Sequence, residues 1–204
     1  LDNRKLTYWT GPYDQFAREI LTADAGMGFD GLLRAYTGSE GPIGILNGID
    51  TQVWDPSHDS FLPESHRYSA DSICHKSLAK ASLQAELDLK VSEQPLLICV
   101  ISRLTRDKGM DLLLDALPAA IDELGDLLED EAGLQLAVLG TGDPDIEESL
   151  GTFAGQAALT SPGMVSIVLE YDEALAHRIQ AGADAILVPS RYEPCGLTQL
   201  AGLR

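Results

Sequence analysis

The chain has 204 residues and a formal net charge of −18, from 32 acidic against 14 basic side chains. That balance excludes a broad nucleic-acid or anionic-membrane surface, because nothing neutralises phosphates over a wide area. A hydrophobic content of 45% is enough for a real core, and the length allows one domain, or one and part of another. Cys74, Cys99 and Cys195 are isolated and form no C-x-x-C pair, which fits a reducing compartment and no disulfide framework. No stretch reaches the roughly 18 apolar residues of a membrane span. The opening residues lack the apolar segment of a signal peptide. The chain lacks an initial Met and stops inside a predicted helix, so a fragment is expected.

In chain order, residues 13–21 read as a helix with Phe16, Ile20 and Leu21 on one face. Gly26, Gly28 and Gly31 interrupt before a short helical piece at 32–34, and residues 42–46 read as a strand ending in an Asn47-Gly48 turn. Residues 51–70, rich in Pro, Ser, Asp and His, read as a linker on a surface, with Trp54 as its anchor. A helix is predicted over 71–89. From there strands at 96–101, 134–139, 164–169 and 185–188 alternate with helices at 111–124, 144–158 and 173–181. Pro118 is expected to kink the first of these helices. A last helix opens after Gly196 and is unfinished. Apolar strands alternating with helices predict an α/β fold, a doubly wound parallel sheet with helices on both faces.

In such a sheet, ligands bind outside the C-terminal strand ends. Four loops should meet there: 102–108, 140–143, 170–172 and 189–195. The first brings Arg103 and Lys108, the second a Gly-rich turn, and the third the aromatic face of Tyr171. The fourth runs from a strand into a helix start, where free N–H groups and the helix dipole favour an anion, with Arg191 and Glu193 beside it. Each feature alone is commonplace in α/β proteins. Gly140-Thr-Gly142 does not match the dinucleotide fingerprint. Convergence carries the reading: cations and N–H groups for phosphates, a stacking surface for a base, and a carboxylate for sugar hydroxyls suit a nucleotide diphosphate-sugar. His58, His66 and His75 have no metal-ligand spacing, Cys195 reads as a backbone donor, and His177 reads as structural.

The chain resembles the bacterial glycogen synthase and plant starch synthase family. The matching motifs include Gly44-Ile-Leu-Asn-Gly-Ile-Asp50, Trp54-Asp-Pro56, Ser102-Arg-Leu-Thr-Arg-Asp-Lys-Gly109 and Leu139-Gly-Thr-Gly-Asp-Pro144. They continue with Tyr171-Asp-Glu-Ala-Leu-Ala-His-Arg-Ile179 and the run from Gly182 to Leu200. The resemblance implies a retaining glucosyltransferase of two facing Rossmann-like domains, the GT-B fold, of which this chain is the C-terminal half. Residues 1–46 would be the remnant of the N-terminal domain and 47–90 the interdomain linker and first helix. Residues 91–204 would be a truncated nucleotide-sugar-binding domain.

By position, the resemblance implies that Arg103 and Lys108 bind the donor diphosphate and stabilise the leaving nucleotide. Tyr171 would stack on adenine, and Glu193 would lie against the transferred glucose. Backbone N–H groups of Cys195, Gly196 and Leu197, with Thr198, would hold the distal phosphate. The donor implied is ADP-glucose and the acceptor an α-1,4-glucan, with no metal or other cofactor, no nucleic-acid partner and no membrane. A bacterial cytoplasm is the expected setting, a plastid the alternative. Two other readings stay open: an inactive fragment that only binds nucleotide, and a related UDP-sugar-dependent retaining glycosyltransferase. The sequence departs from the family at Asp107, where Gln is usual, and at Ala201, where an aromatic residue is usual. The acidic run at 122–131 resembles a small insertion, and most of the family's N-terminal domain is absent.

Overall fold

The computed structural model describes residues 8–9, 14–38, 41–44, 48–127, 133–193 and 196–204. It divides the chain into two compact units. The smaller combines Leu1–Ile49 with Glu193–Leu200, and the larger combines Asp50–Tyr192 with Ala201–Arg204. The strand expected at 42–46, its Asn47 turn and the end of the acidic run lie partly or wholly outside the described residues.

The larger unit is built on a four-stranded, all-parallel sheet. Its strands are β3 (Leu96–Ile101), β4 (Leu134–Leu139), β5 (Val165–Val168) and β6 (Ala185–Ile186), in the order β5-β4-β3-β6. Helices α3 (Lys76–Glu86), α4 (Met110–Leu127), α5 (Pro144–Thr160) and α6 (Glu173–Gly182) connect or flank them. Alternate side chains of a strand point to opposite faces, and here both faces are apolar. Leu97 and Cys99 pack with Leu83 of α3 and Ile179 of α6. Val100 and Leu136 pack with Leu113 of α4 and Leu150 of α5. This double covering is why the central strands read as unbroken apolar runs. The expected fold class therefore holds.

The N-terminal edge of the sheet is tied by buried polar groups. The Gln84 amide donates to Gln135 Oε1 at 2.6 Å, and Gln135 Nε2 donates to the carbonyls of Lys90 at 2.7 Å and Gly163 at 3.1 Å. Lys80 Nζ reaches Asp184 at 2.6 Å and the Pro95 carbonyl at 2.6 Å, and the same Asp184 carboxylate accepts from Leu97 N–H. Buried donors and acceptors that are all matched hold the strand starts in register. The opposite edge carries the loops.

Several elements differ from expectation. The helix expected over 71–89 is α3, Lys76–Glu86, preceded by a 3-10 helix at Ala70–His75. Helix α4, which holds Pro118, runs longer than expected, as one element from Met110 to Leu127; the ring removes one backbone hydrogen bond, and burial of Leu113 and Leu117 holds the helix to the sheet. Strand β6 stops at Ile186 rather than 188. Leu187 N–H still donates to Cys99 O at 2.8 Å, but Pro189 has no N–H to extend the pairing. Residues 51–70, expected as a surface linker, are mostly exposed or half-buried and contain no strand, but they are ordered as a chain of turns closed by backbone bonds such as Trp54 to Asp50 at 3.0 Å and Tyr68 to Pro56 at 3.2 Å, with Leu62 buried. Among the described residues, no helix is long and apolar enough to cross a membrane.

In the smaller unit, β1 (Tyr8–Trp9) pairs in parallel with β2 (Ile43–Gly44), and α1 (Asp14–Glu19) and α2 (Asp30–Thr37) follow the helical patterns of the sequence. Arg34 of α2 donates to the Leu21 carbonyl and to Asp30. Helix α7 (Leu197–Gly202) closes the described chain.

Candidate functional site

The chain steps outward from β3 to β4 to β5, then returns to the other side of β3 with β6. The loops leaving β3 and β6 therefore part at the sheet's topological switch point, where open α/β sheets form a ligand crevice. Within the larger unit these loops are bonded to one another. The Asp107 carbonyl accepts from Arg191 N–H at 3.0 Å and from Tyr192 N–H at 3.3 Å. Leu104 N–H donates to Thr141 O at 2.9 Å, and Asp143 N–H donates back to Leu104 O at 2.8 Å, around a parallel bridge between Leu104 and Gly142.

The approach is so close that only glycine fits. A Cβ on Gly109, which has φ +72°, would lie 2.1 Å from the Pro189 carbonyl oxygen, and one on Gly142 would lie 2.2 Å from the Leu104 carbonyl oxygen. The Gly-rich turn at 140–142 thus serves loop-to-loop packing. Of the four loops expected to converge, 102–108, 140–143 and 189–195 as far as Tyr192 are bonded together, and no such bond links 170–172 to them among the described residues.

These loops carry four cations. Arg103 Nη2 donates to Asp107 Oδ2 at 3.1 Å, and its side chain is 69% exposed. Lys108 is half-buried, with its backbone N–H bonded to Thr105 O at 3.1 Å. Arg191 differs from expectation: its guanidinium turns to the start of α4, donating to the Arg106 carbonyl at 2.9 Å and to the Asp111 carboxylate. Arg106 Nε approaches the second oxygen of Asp111 at 3.6 Å. Asp111 holds Arg191 in place, and the Arg191 guanidinium keeps the Asp111 carboxyl below the usual carboxylate range. Tyr171, on the loop from β5 to α6, is 86% exposed and presents an open ring. The next residue, Asp172, caps α6 by accepting from Leu175 N–H at 2.9 Å.

The other sequence-selected residues fall in the smaller unit. Glu193 Oε1 accepts from Gly196 N–H at 3.1 Å, so one of the three backbone donors expected for a phosphate is engaged by the carboxylate expected for a sugar. Gly196 has φ +64°, a conformation that L side chains rarely adopt. Leu197 and Thr198 open α7, exposed and half-buried respectively. Cys195 lies outside the described residues. Among the described residues, no three His, Cys, Asp or Glu side chains come together as metal ligands would.

Sequence reasoning missed the pairing of Arg103 with Asp107. It also missed Asp59, whose carboxylate is buried beneath α6 against His177.

No family model matches the chain. Glycogen synthases do. The chain is 49% identical over 189 residues to that of Rhodopseudomonas palustris (strain HaA2) and 50% identical over 189 residues to that of Methylocella silvestris, in each case over 93% of this chain and 36% of the relative. Among solved structures, the catalytic domain of starch synthase IV from Arabidopsis thaliana, bound to ADP and acarbose, superposes with a TM-score of 0.79 at 34% identity, covering 97% of this chain and 37% of that one. The chain thus spans a little over a third of the length of the relatives it matches. Over that span, its sequence and its fold are those of the glycogen synthase and starch synthase family.

Proposed function

We propose that this chain carries the donor-binding part of a retaining glycosyltransferase that moves glucose from ADP-glucose to the non-reducing end of an α-1,4-glucan. The observation that carries this reading is the identity of 49–50% with glycogen synthases across 93% of the chain. The arrangement of the larger unit supports it: Arg103 and Lys108 sit on the loop leaving β3, beside the switch point.

In this reading, Arg103 and Lys108 meet the diphosphate. Their charge grows in value as the glucosyl–phosphate bond breaks, because negative charge then builds on the leaving oxygen, and fixed cations stabilise that change most. The leaving phosphate draws the proton from the acceptor hydroxyl on the same face, which gives retention. The exposed Tyr171 ring offers the adenine a stacking surface. Glu193 serves the glucose, and the backbone at Gly196 and Leu197, with Cys195 and Thr198, serves the distal phosphate. The cations supply the positive charge for the leaving group, so the reading includes no metal. It places the reaction in a bacterial cytoplasm, without nucleic-acid or membrane partners.

ADP is preferred to UDP in this reading because the starch synthase neighbour is an ADP complex. Calorimetric titration of the protein, with whatever flanking sequence it carries, should show saturable ADP binding that Arg103→Ala weakens by about 1.5–3 kcal/mol, the range for hydrogen bonds to charged groups. Tighter binding of UDP would move the assignment to a UDP-sugar enzyme. ADP binding indifferent to both Arg103→Ala and Lys108→Ala would remove these residues from the diphosphate site.

A further inference from the structure

The four cations at the switch-point loops are not equally available. Asp111 engages two of them: it accepts from the Arg191 guanidinium and lies 3.6 Å from Arg106 Nε. Arg103, 69% exposed, is paired instead with Asp107 at 3.1 Å. The Asp107 side chain is also open to solvent, at 45% exposure. Its backbone is not free to move, because its carbonyl holds both the Arg191 and the Tyr192 N–H groups. The carboxylate is therefore anchored within one turn of the guanidinium that the proposed function gives to the donor diphosphate. An exposed aspartate of this kind is ionised at neutral pH.

Resting on that reading of the site, we propose that Asp107 sets nucleotide affinity from the unfavourable side. Its carboxylate competes with the diphosphate for Arg103 and repels the diphosphate directly, so that the nucleoside diphosphate product is released faster than the cations alone would allow. Two effects add. The exposed Arg103–Asp107 pair is weak, so exchanging it for a phosphate is easy. The repulsion persists after exchange, because the fixed backbone keeps the carboxylate within several ångströms of the bound anion. Coulomb repulsion from a diphosphate at about 7 Å in a water-like dielectric, added to loss of the pair, corresponds to about a 5- to 20-fold change in affinity.

The test is ADP titration of wild type, D107N, D107E, R103A, K108A and the double variant R103A/D107N, at low and high salt. D107N should bind ADP about 5- to 20-fold more tightly, and D107E should stay within about threefold of wild type. The gain from D107N should shrink at high salt, where the carboxylate is screened, and should at least halve in the R103A background. A merely structural role for Asp107 would move none of these three comparisons. If R103A weakens ADP binding while D107N leaves it unchanged or weaker, the inference is wrong and the site reading stands. If ADP binds equally well to R103A, this inference fails with the role of Arg103; if K108A is equally indifferent, or ADP does not bind, the site reading fails too.

Discussion

His177 Nδ1 lies 2.6 Å from Asp59 Oδ2, with both side chains buried. The two residues are 118 apart in sequence. The same imidazole is stacked on Trp54, with centroids 3.8 Å apart and planes within 5°, and Phe61 closes the edge at 4.7 Å. The turns at 50–69 are thereby fastened to α6. His177→Ala would leave the buried Asp59 side chain without its hydrogen-bond partner and remove the ring stacked on Trp54, and leaving a buried polar group unsatisfied costs about 1–3 kcal/mol or more. Urea denaturation should show a loss of that order. A loss under about 1 kcal/mol would mean that the turns are held by other contacts.

The glycine contacts between loops give a second expectation. Gly109→Ala places a Cβ 2.1 Å from the Pro189 oxygen on a residue with φ +72°. Neither the backbone nor the proline can yield cheaply. We expect a destabilisation of about 2 kcal/mol or more, together with loss of ADP binding, since the loop bearing Lys108 must move. Gly155→Ala on α5 is the control: nothing lies within 4 Å of its Cβ position, and alanine favours a helix. A Gly109→Ala protein as stable as wild type would show that the two loops are not locked together.

Glu193 offers a way to separate structure from chemistry. Its carboxylate accepts from Gly196 N–H, so an alanine there would disturb the turn as well as any sugar contact. Glu193→Gln keeps an oxygen acceptor for that N–H and removes the charge. In the proposed mechanism, turnover should fall about 100-fold or more while ADP affinity changes less than about threefold. Equal losses in both would assign Glu193 to nucleotide binding alone.

Much of this was legible in the sequence where the signal was local. Strands β3 and β4 have the expected ends because both faces are buried and each apolar run stops at a polar loop. The turns that bring the loops together are visible as Gly109, Gly140 and Gly142, although their reason, contact with another backbone, is not. Long-range charge pairing was not legible. Arg191 was expected to stand beside an anion, yet it binds Asp111, 80 residues away, because the loop after β6 crosses the start of α4. The buried place of Asp59 under His177 was hidden in a segment whose composition reads as linker. Pro118 does not end α4, because tertiary burial of Leu113 and Leu117 outweighs one missing backbone bond.

Asp55 gives a pH signature for the same turns. It accepts from Ser57 Oγ at 2.6 Å and Ser57 N–H at 3.0 Å, with His58 Nδ1 at 3.3 Å and Arg204 at 3.5 Å. The Ser57 hydroxyl, before the other contacts, holds its carboxyl down to about 2, against 3.8 for an unperturbed aspartate. A depressed folded-state value means that the unfolded chain takes up the proton first as pH falls. The stabilisation is therefore whole above about pH 4 and is lost on descending to about pH 2. Asp55→Asn keeps an acceptor but cannot titrate. Comparing urea midpoints from pH 6 to pH 2 removes the contribution of every other carboxylate, provided each titrates alike in both proteins. Wild type should be the more stable above pH 4, and the gap should close by about pH 2. A gap constant across that range would mean that the Ser57 contacts do not depend on the charge of Asp55, and that the turn is held by shape alone.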